Sequence, residues 1–217
     1  MKYAVLSVFL LAAVAAALVI VVPDEQPTIQ AGLNAAGTGD TVLVKPDTYH
    51  ENITWPARDG IRLYSAEGPA VTVIDGGGNG RVVDISSSSV REATELRGFT
   101  ITGGRLTGAS GYGAGIRVSG ANPVITGNII RGNECVTDSG EIGRNYGGGL
   151  HISNSTAGRA TELRFNVIDS NRQEDGAWNY GAGIYVTGAG GALIWQNVIR
   201  GNVHESRLNP SNRGHGA

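Results

Sequence analysis

Tyr112-Gly113-Ala114-Gly115-Ile116, Tyr146-Gly147-Gly148-Gly149-Leu150 and Tyr180-Gly181-Ala182-Gly183-Ile184 recur in this chain at a fixed interval of 34 residues. Regular recurrence at such a period is the mark of stacked structural repeats. A second motif interleaves with the first: Asn128-Ile129-Ile130-Arg131-Gly132-Asn133, then Asn166-Val167-Ile168-Asp169-Ser170-Asn171, then Asn197-Val198-Ile199-Arg200-Gly201-Asn202. Its spacings of 38 and 31 are unequal, so connections of varying length join strands of fixed position.

Each unit holds strands of three or four residues, too short to bury a face alone. Stacking solves this, because successive turns of a solenoid set the same position of each repeat about 4.8 Å above the last. Three interior ladders follow: Ile116, Leu150 and Ile184; Val118, Ile152 and Val186; Ile130, Ile168 and Ile199. The six asparagines fall where the chain must turn, which suits a residue that tolerates left-handed backbone and whose amide can bond along the stack. They are read as architecture. Leu96 to Gly104 fits the same template, with Phe99 in the first asparagine column and Ile101 in the third ladder.

Composition agrees. Among 217 residues there are 34 glycines and only 6% aromatics, which suits short strands and tight turns better than a helical bundle. Seventeen basic and 19 acidic residues leave a net charge of -2, which gives no electrostatic footprint for nucleic acid. Cys135 is the single cysteine, so an intramolecular disulfide and a cysteine metal cluster are both excluded, and the thiol is read as inert. Residues 1–17 read as a signal peptide: Lys2, the apolar run Ala4 to Val14, then Ala15-Ala16-Ala17 as a small-residue cleavage pattern. Ala4 to Val22 is also 19 residues without a charge, close to the ~20 that span a bilayer, so a membrane enters only if this segment stays uncleaved. Leu18 to Val22, β-branched from Val19 onward, reads as a first strand.

These motifs resemble the right-handed parallel β-helix repeats of the pectin-lyase-like superfamily. The stretch Pro27-Thr28-Ile29-Gln30-Ala31-Gly32-Leu33-Asn34-Ala35-Ala36, followed by Gly39 to Val44, Tyr49 and Glu51-Asn52-Ile53, is similar to the opening coil of exported members. The resemblance implies an all-β solenoid with a short N-terminal capping helix, Ile29, Leu33 and Ala36 forming its apolar stripe. The expected organisation is a β-helix domain over 18–217, with the cap at 18–40 and coils over 41–217. Gly214-His215-Gly216-Ala217 continues the repeat, and the sequence is expected to stop as another coil begins, as a C-terminally incomplete piece of a longer protein. The family also implies calcium as a possible cofactor, although no aspartate cluster for it is visible near Arg117. It further implies an alternative activity as a pectate-lyase-like polysaccharide lyase or a glycoside hydrolase.

Between the interior ladders of the Gly-Ile-x-Val strands runs an outward one, Arg117, His151 and Tyr185, expected to form one exposed column. Beside it lie the longest connections, Glu134 to Asn145, Arg172 to Asn179 and Val203 to Arg213, expected as loops emerging from one corner. A sugar-binding groove wants an aromatic face for the pyranose and charged groups for its hydroxyls or acids. Arg117, His151, Tyr185, Glu174, Asp175 and Trp178 have those types and are the candidate substrate-binding residues, while Tyr112, Tyr146 and Tyr180 are read as packing. Catalysis lacks a constellation: Lys45 is the one lysine after the leader and lies by the cap, Gly214-His215-Gly216 matches the polygalacturonase letters without the paired aspartates, and His50-Glu51 reads as scaffold. The expectation is a secreted, periplasmic or cell-surface monomer that binds polysaccharide or cell-surface glycan.

Overall fold

The computed structural model describes residues 16–138, 143–154, 156–174 and 178–205. They form a right-handed parallel β-helix whose strands lie in five sheets of seven, six, five, four and three strands. One turn runs through Ile116–Ser119 in the five-stranded sheet, Val124–Thr126 in the seven-stranded, Ile129–Arg131 in the six-stranded, Glu134–Val136 in the four-stranded and Arg144–Tyr146 in the three-stranded. Leu150–Ser153 then begins the next turn directly above Ile116–Ser119. Every strand pairs in parallel with its equivalent one coil away, the only pairing a chain can make when it returns to the same sheet after a full turn.

The expected ladders are in register. Ile116, Leu150 and Ile184 align, as do Val118, Ile152 and Val186, and Ile130 aligns with Ile168 and Ile199 below which stand Ile101, Ile74 and Tyr49. A further interior ladder, Ile20, Val42, Leu63, Leu96, Ile125, Leu163 and Ile194, runs the length of the seven-stranded sheet. The first strand is Val19–Val22, within the stretch read from sequence, and the helix Ile29–Ala35 packs Ile29 and Leu33 onto the core. Thr28 caps that helix, and Glu51 accepts from the backbone N–H groups of Ile29 at 2.8 Å and Gln30 at 2.9 Å. Glu51 is therefore scaffold, satisfying helix N–H groups that have no partner within the helix.

The two sequence motifs lock together. Each asparagine of a column accepts the backbone N–H one coil below and donates its amide N–H to a carbonyl one coil below. Asn133 thus accepts from Gly104 and donates to Ile101, and Asn171 accepts from Asn133 and donates to Ile130. Asn128, Asn166 and Asn197 repeat the arrangement at the other corner, and Phe99, buried in that column, donates its N–H to Asn128. These bonds satisfy corner backbone groups that no strand pairs. The glycines of the Tyr-Gly-x-Gly motif make room for them: a Cβ on Gly149 would lie 2.7 Å from Asn171 Nδ2 and 2.7 Å from the Gly183 carbonyl.

One expectation is corrected. The segments read as long loops carry strands: Glu134–Val136, Arg172–Glu174 and Val203–Glu205 stack in the four-stranded sheet, and Arg144–Tyr146 and Trp178–Tyr180 in the three-stranded. The coils that open at Thr41 and Arg62 have three strands, and those that open at Glu95, Val124 and Thr161 have five. The added strands are held by a third asparagine pair, Asn145 and Asn179, buried and aligned in register. Asn145 accepts from Gly111 N–H at 3.1 Å and donates to the Glu174 carbonyl at 3.1 Å. His204 continues the inward column of Leu106, Cys135 and Gln173. Cys135 is buried there, and burial pushes its thiol up to about 12, an unreactive state.

If the asparagine columns carry the stacking, Asn166→Ala, which strands the Asn128 N–H and the Ile125 carbonyl, should cost about 3 kcal/mol. Asn197→Ala, in a part-exposed position, should cost clearly less. Urea unfolding followed by circular dichroism measures both. Equal, small losses at the two sites would remove the asparagine columns from the account of stability.

Candidate functional site

The five-stranded sheet carries one outward column: Thr54, Asp84, Arg117, His151 and Tyr185, each in register with the next. Around the corner, the three-stranded sheet carries two more. One is Tyr112, Tyr146 and Tyr180; the other is Ser110, Arg144 and Trp178. These columns meet along a corner that faces solvent.

The tyrosines stack face to face along the solenoid axis, with ring centroids 5.0 Å apart and planes tilted by 10° and 5°. That spacing is the coil repeat itself, so each ring is held by its neighbours and presents an edge outward. Tyr185 leans onto this stack, 5.0 Å from Tyr146 and 5.8 Å from Tyr180. His151 lies beneath Tyr185 in a near-parallel stack at 5.8 Å, with Tyr112 edge-on at 5.3 Å. The corner is thus an aromatic ladder with histidine inside it.

Charge frames the ladder. Arg117 pairs with Asp84 at 3.4 Å and donates to Ser86 Oγ at 2.9 Å. Arg81 pairs with the other Asp84 oxygen at 3.1 Å and donates to the Tyr112 and Gly113 carbonyls at 2.8 and 2.9 Å, tying the two sheets together. On the far wall the Arg144 guanidinium sits 4.4 Å over the ring of Trp178, which is 48% exposed. Arg117, His151, Tyr185 and Trp178, all named from sequence, therefore gather on one corner.

Two features differ from the sequence expectation. His151 is not exposed: it is 6% accessible, and its Nδ1 has no hydrogen-bond partner among the described residues. The tyrosines read as packing are what covers it. Burial, with the positive charges of Arg117 and Arg81, pulls the imidazole down to about 4, so it is neutral at neutral pH. Glu174 stands away from the corner, on the four-stranded sheet, 5% accessible and paired with Arg172. Arg172 also pairs with Glu205 and Glu134, and Glu134 with Arg105, so Glu174 belongs to a chain of ion pairs crossing the coils. Asp175 lies outside the described residues.

Sequence reasoning missed Asp84, Arg81, Arg144 and the tyrosine edges as parts of this corner. The repeat offered a signal for the tyrosines, because the position before a turn glycine is at a corner and a large residue there must reach the next sheet. Among the described residues, no three histidine, cysteine, aspartate or glutamate side chains converge as a metal shell, and no helix is long and apolar enough to cross a membrane. Comparison with protein-family models, with curated proteins and with solved structures gave no match to this chain. The fold thus rests on its sheet topology and register.

The depressed pKa of His151 has a consequence with a definite sign. The unfolded imidazole takes up a proton near 6.5, but the folded one resists until about 4. Between those values the unfolded state holds more protons, so stability falls as pH falls through this window and is unaffected above it. Relative to His151→Phe, the native chain should lose about 2 kcal/mol between pH 7 and pH 4.5. Unfolding midpoints of both proteins at the two pH values test this, and parallel pH profiles would mean that His151 is not the group responsible.

Proposed function

We propose that the chain is an exported or cell-surface β-helix that holds an extended polysaccharide along its axis, at the corner between the three- and five-stranded sheets, without catalysing its breakdown. The observation that carries this reading is the tyrosine ladder at 5.0 Å intervals. Phenol groups repeat there at a distance close to the length of one pyranose unit, so a sugar chain laid along the axis meets one hydroxyl per coil. Because the ring faces are used in stacking each other, the ladder supports hydrogen bonding along the polymer rather than face-on sugar stacking. Trp178 supplies an open aromatic face beside it, and Arg117 and Arg144 supply guanidinium donors.

The chemistry of the corner favours holding over cleaving. Hydrolysis of a glycosidic bond calls for an acid and a second carboxylate across the scissile bond. Asp84, the carboxylate in the outward column, is already bonded to Arg81, Arg117 and Ser86. Arg117 as the proton-abstracting base of a lyase is disfavoured by its pairing with Asp84 and by the high proton affinity of a guanidinium. His151 is neutral but sealed under the aromatic rings. The kinship with the pectin-lyase-like superfamily and export from the cytoplasm rest on the sequence motifs and the leader at 1–17.

Trp178 is exposed and Tyr185 half-buried, so both tolerate truncation better than the inner ladders do. Trp178→Ala and Tyr185→Ala should each weaken retention on polysaccharide-containing native gels about 5- to 15-fold, as expected for ~1–1.5 kcal/mol of aromatic contact. Circular dichroism should remain that of the native chain. Unchanged retention in both variants would count against this corner, and release of reducing ends or unsaturated sugars by the native protein would replace holding with cleavage.

A further inference from the structure

A second solvent-facing hollow lies at a different corner, where the five-stranded sheet hands over to the seven-stranded one. Three successive turns build it: the link from Val83–Ile85 to Glu95–Arg97, the link from Ile116–Ser119 to Val124–Thr126, and the link from Leu150–Ser153 to Thr161–Arg164. The cavity measures about 260 Å³ and is lined by Ser88, Arg91, Gly120, Asn122, Thr156 and Arg159. The lower and upper links supply the same pattern, a hydroxyl residue followed three positions later by arginine: Ser88 with Arg91, and Thr156 with Arg159. The middle link contributes Gly120, whose small side leaves the space open, and Asn122.

Among the described residues, the two guanidiniums lack the close carboxylate partners that several other arginines have. Arg81, Arg117 and Arg172 are each held by carboxylates, whereas among the described residues neither Arg91 nor Arg159 takes part in an ion pair. The neighbouring acids are engaged by hydrogen-bond donors other than these guanidiniums. Asp59 accepts from the Arg91 backbone N–H at 2.9 Å, from Gly60 N–H and from Thr94 Oγ1. Glu92 accepts from Asn122 Nδ2 at 2.7 Å, and its carboxyl is held below the ordinary range by its own backbone N–H, by that amide and, more weakly, by the charge of Arg159 beyond ion-pair distance. Asn122 itself is 5% accessible and fixed between Glu92 and the Val90 carbonyl. Two guanidiniums lining one polar hollow without an ion-pair partner among the described residues leave their donors open to an anion.

We propose that this hollow is a binding site for a tetrahedral oxyanion, a sulfate or phosphate group, free or as a monoester on a larger molecule. The arginines stand two coils apart, ~10 Å along the axis, and both line the hollow. Ser88 and Thr156 add hydroxyl donors in the same arrangement. The volume is several times the ~30 Å³ of one water, which leaves room for the group that carries the ester. The site is independent of the tyrosine corner and stands or falls separately from it.

Isothermal titration of the full chain with sodium sulfate, sodium phosphate and galactose 6-sulfate, at ionic strength held constant with sodium chloride, tests the proposal. Saturable binding of the oxyanions at one site is expected, with Arg91→Gln and Arg159→Gln each raising Kd at least tenfold and Arg91→Lys giving a smaller rise. Tighter binding of the sugar ester than of sulfate would assign the ion to a sulfated glycan, and equal binding would assign it to the free ion. Heat that does not saturate beyond the chloride control overturns the site. So does a Kd unchanged in both glutamine variants while circular dichroism shows them folded.

Discussion

The constraint on which this structure depends is the fate of backbone groups at the corners of each coil. Strands pair their N–H and C=O groups with the coils above and below, but a corner turns the chain out of the sheet and leaves its polar groups buried without partners. The asparagine side chain solves this with one amide, whose oxygen takes the N–H below and whose nitrogen reaches a carbonyl below, as Asn171 does with Asn133 and Ile130. The arrangement demands space. Gly115, Gly149 and Gly183 supply it, since a Cβ on any of them would come within 2.8 Å of the corresponding asparagine amide. The repeat of glycine and the repeat of asparagine are therefore one requirement written twice.

That requirement also fixes the face on which the proposed binding corner lies. Gly113, Gly147 and Gly181 adopt positive φ of 62°, 63° and 55° to swing the chain from one sheet to the next, and the tyrosine before each is delivered to the same corner of every coil. Aligned rings have little choice but to stack. The stack then closes over His151, and the desolvation this imposes on an imidazole beside two arginines keeps it uncharged. A scaffold rule thus produces both an outward row of phenols and a buried neutral histidine.

Much of this was legible in the sequence, and the failures have physical reasons. The ladders Ile116–Leu150–Ile184 and Ile130–Ile168–Ile199 were readable because inward positions alternate with outward ones and like must stack on like. The four- and three-stranded sheets were not. Arg172-Gln173-Glu174 carries no apolar alternation, because its pairing is supported by ion pairs across coils and by an inward column that becomes polar at Gln173 and His204. Reading that stretch as loop put Glu174 in the groove, whereas alternation along the strand sets it beside Arg172, on the face of the cross-coil ion pairs. The exposure of His151 was misjudged for a related reason. Alternation predicts that its side chain leaves the core, but only the neighbouring sheet, invisible in the pattern, determines that tyrosines cover it.

A solenoid distributes a site along its axis, and this bears on what such a face can hold. In the column Thr54, Asp84, Arg117, His151, Tyr185, each residue occupies the same position of its own coil, yet the chemistry changes from hydroxyl to acid to base to aromatic over four steps. No two adjacent members repeat, so no single coil contains the site. A small molecule would meet one or two of these groups and leave the rest to water. A polymer running along the axis would meet the half-buried Arg117 and Tyr185 and the tyrosine rings that cover His151, at the spacing that parallel pairing imposes on the coils. The gradation of side chains along a regular backbone thus suits the elongated ligand proposed for this corner.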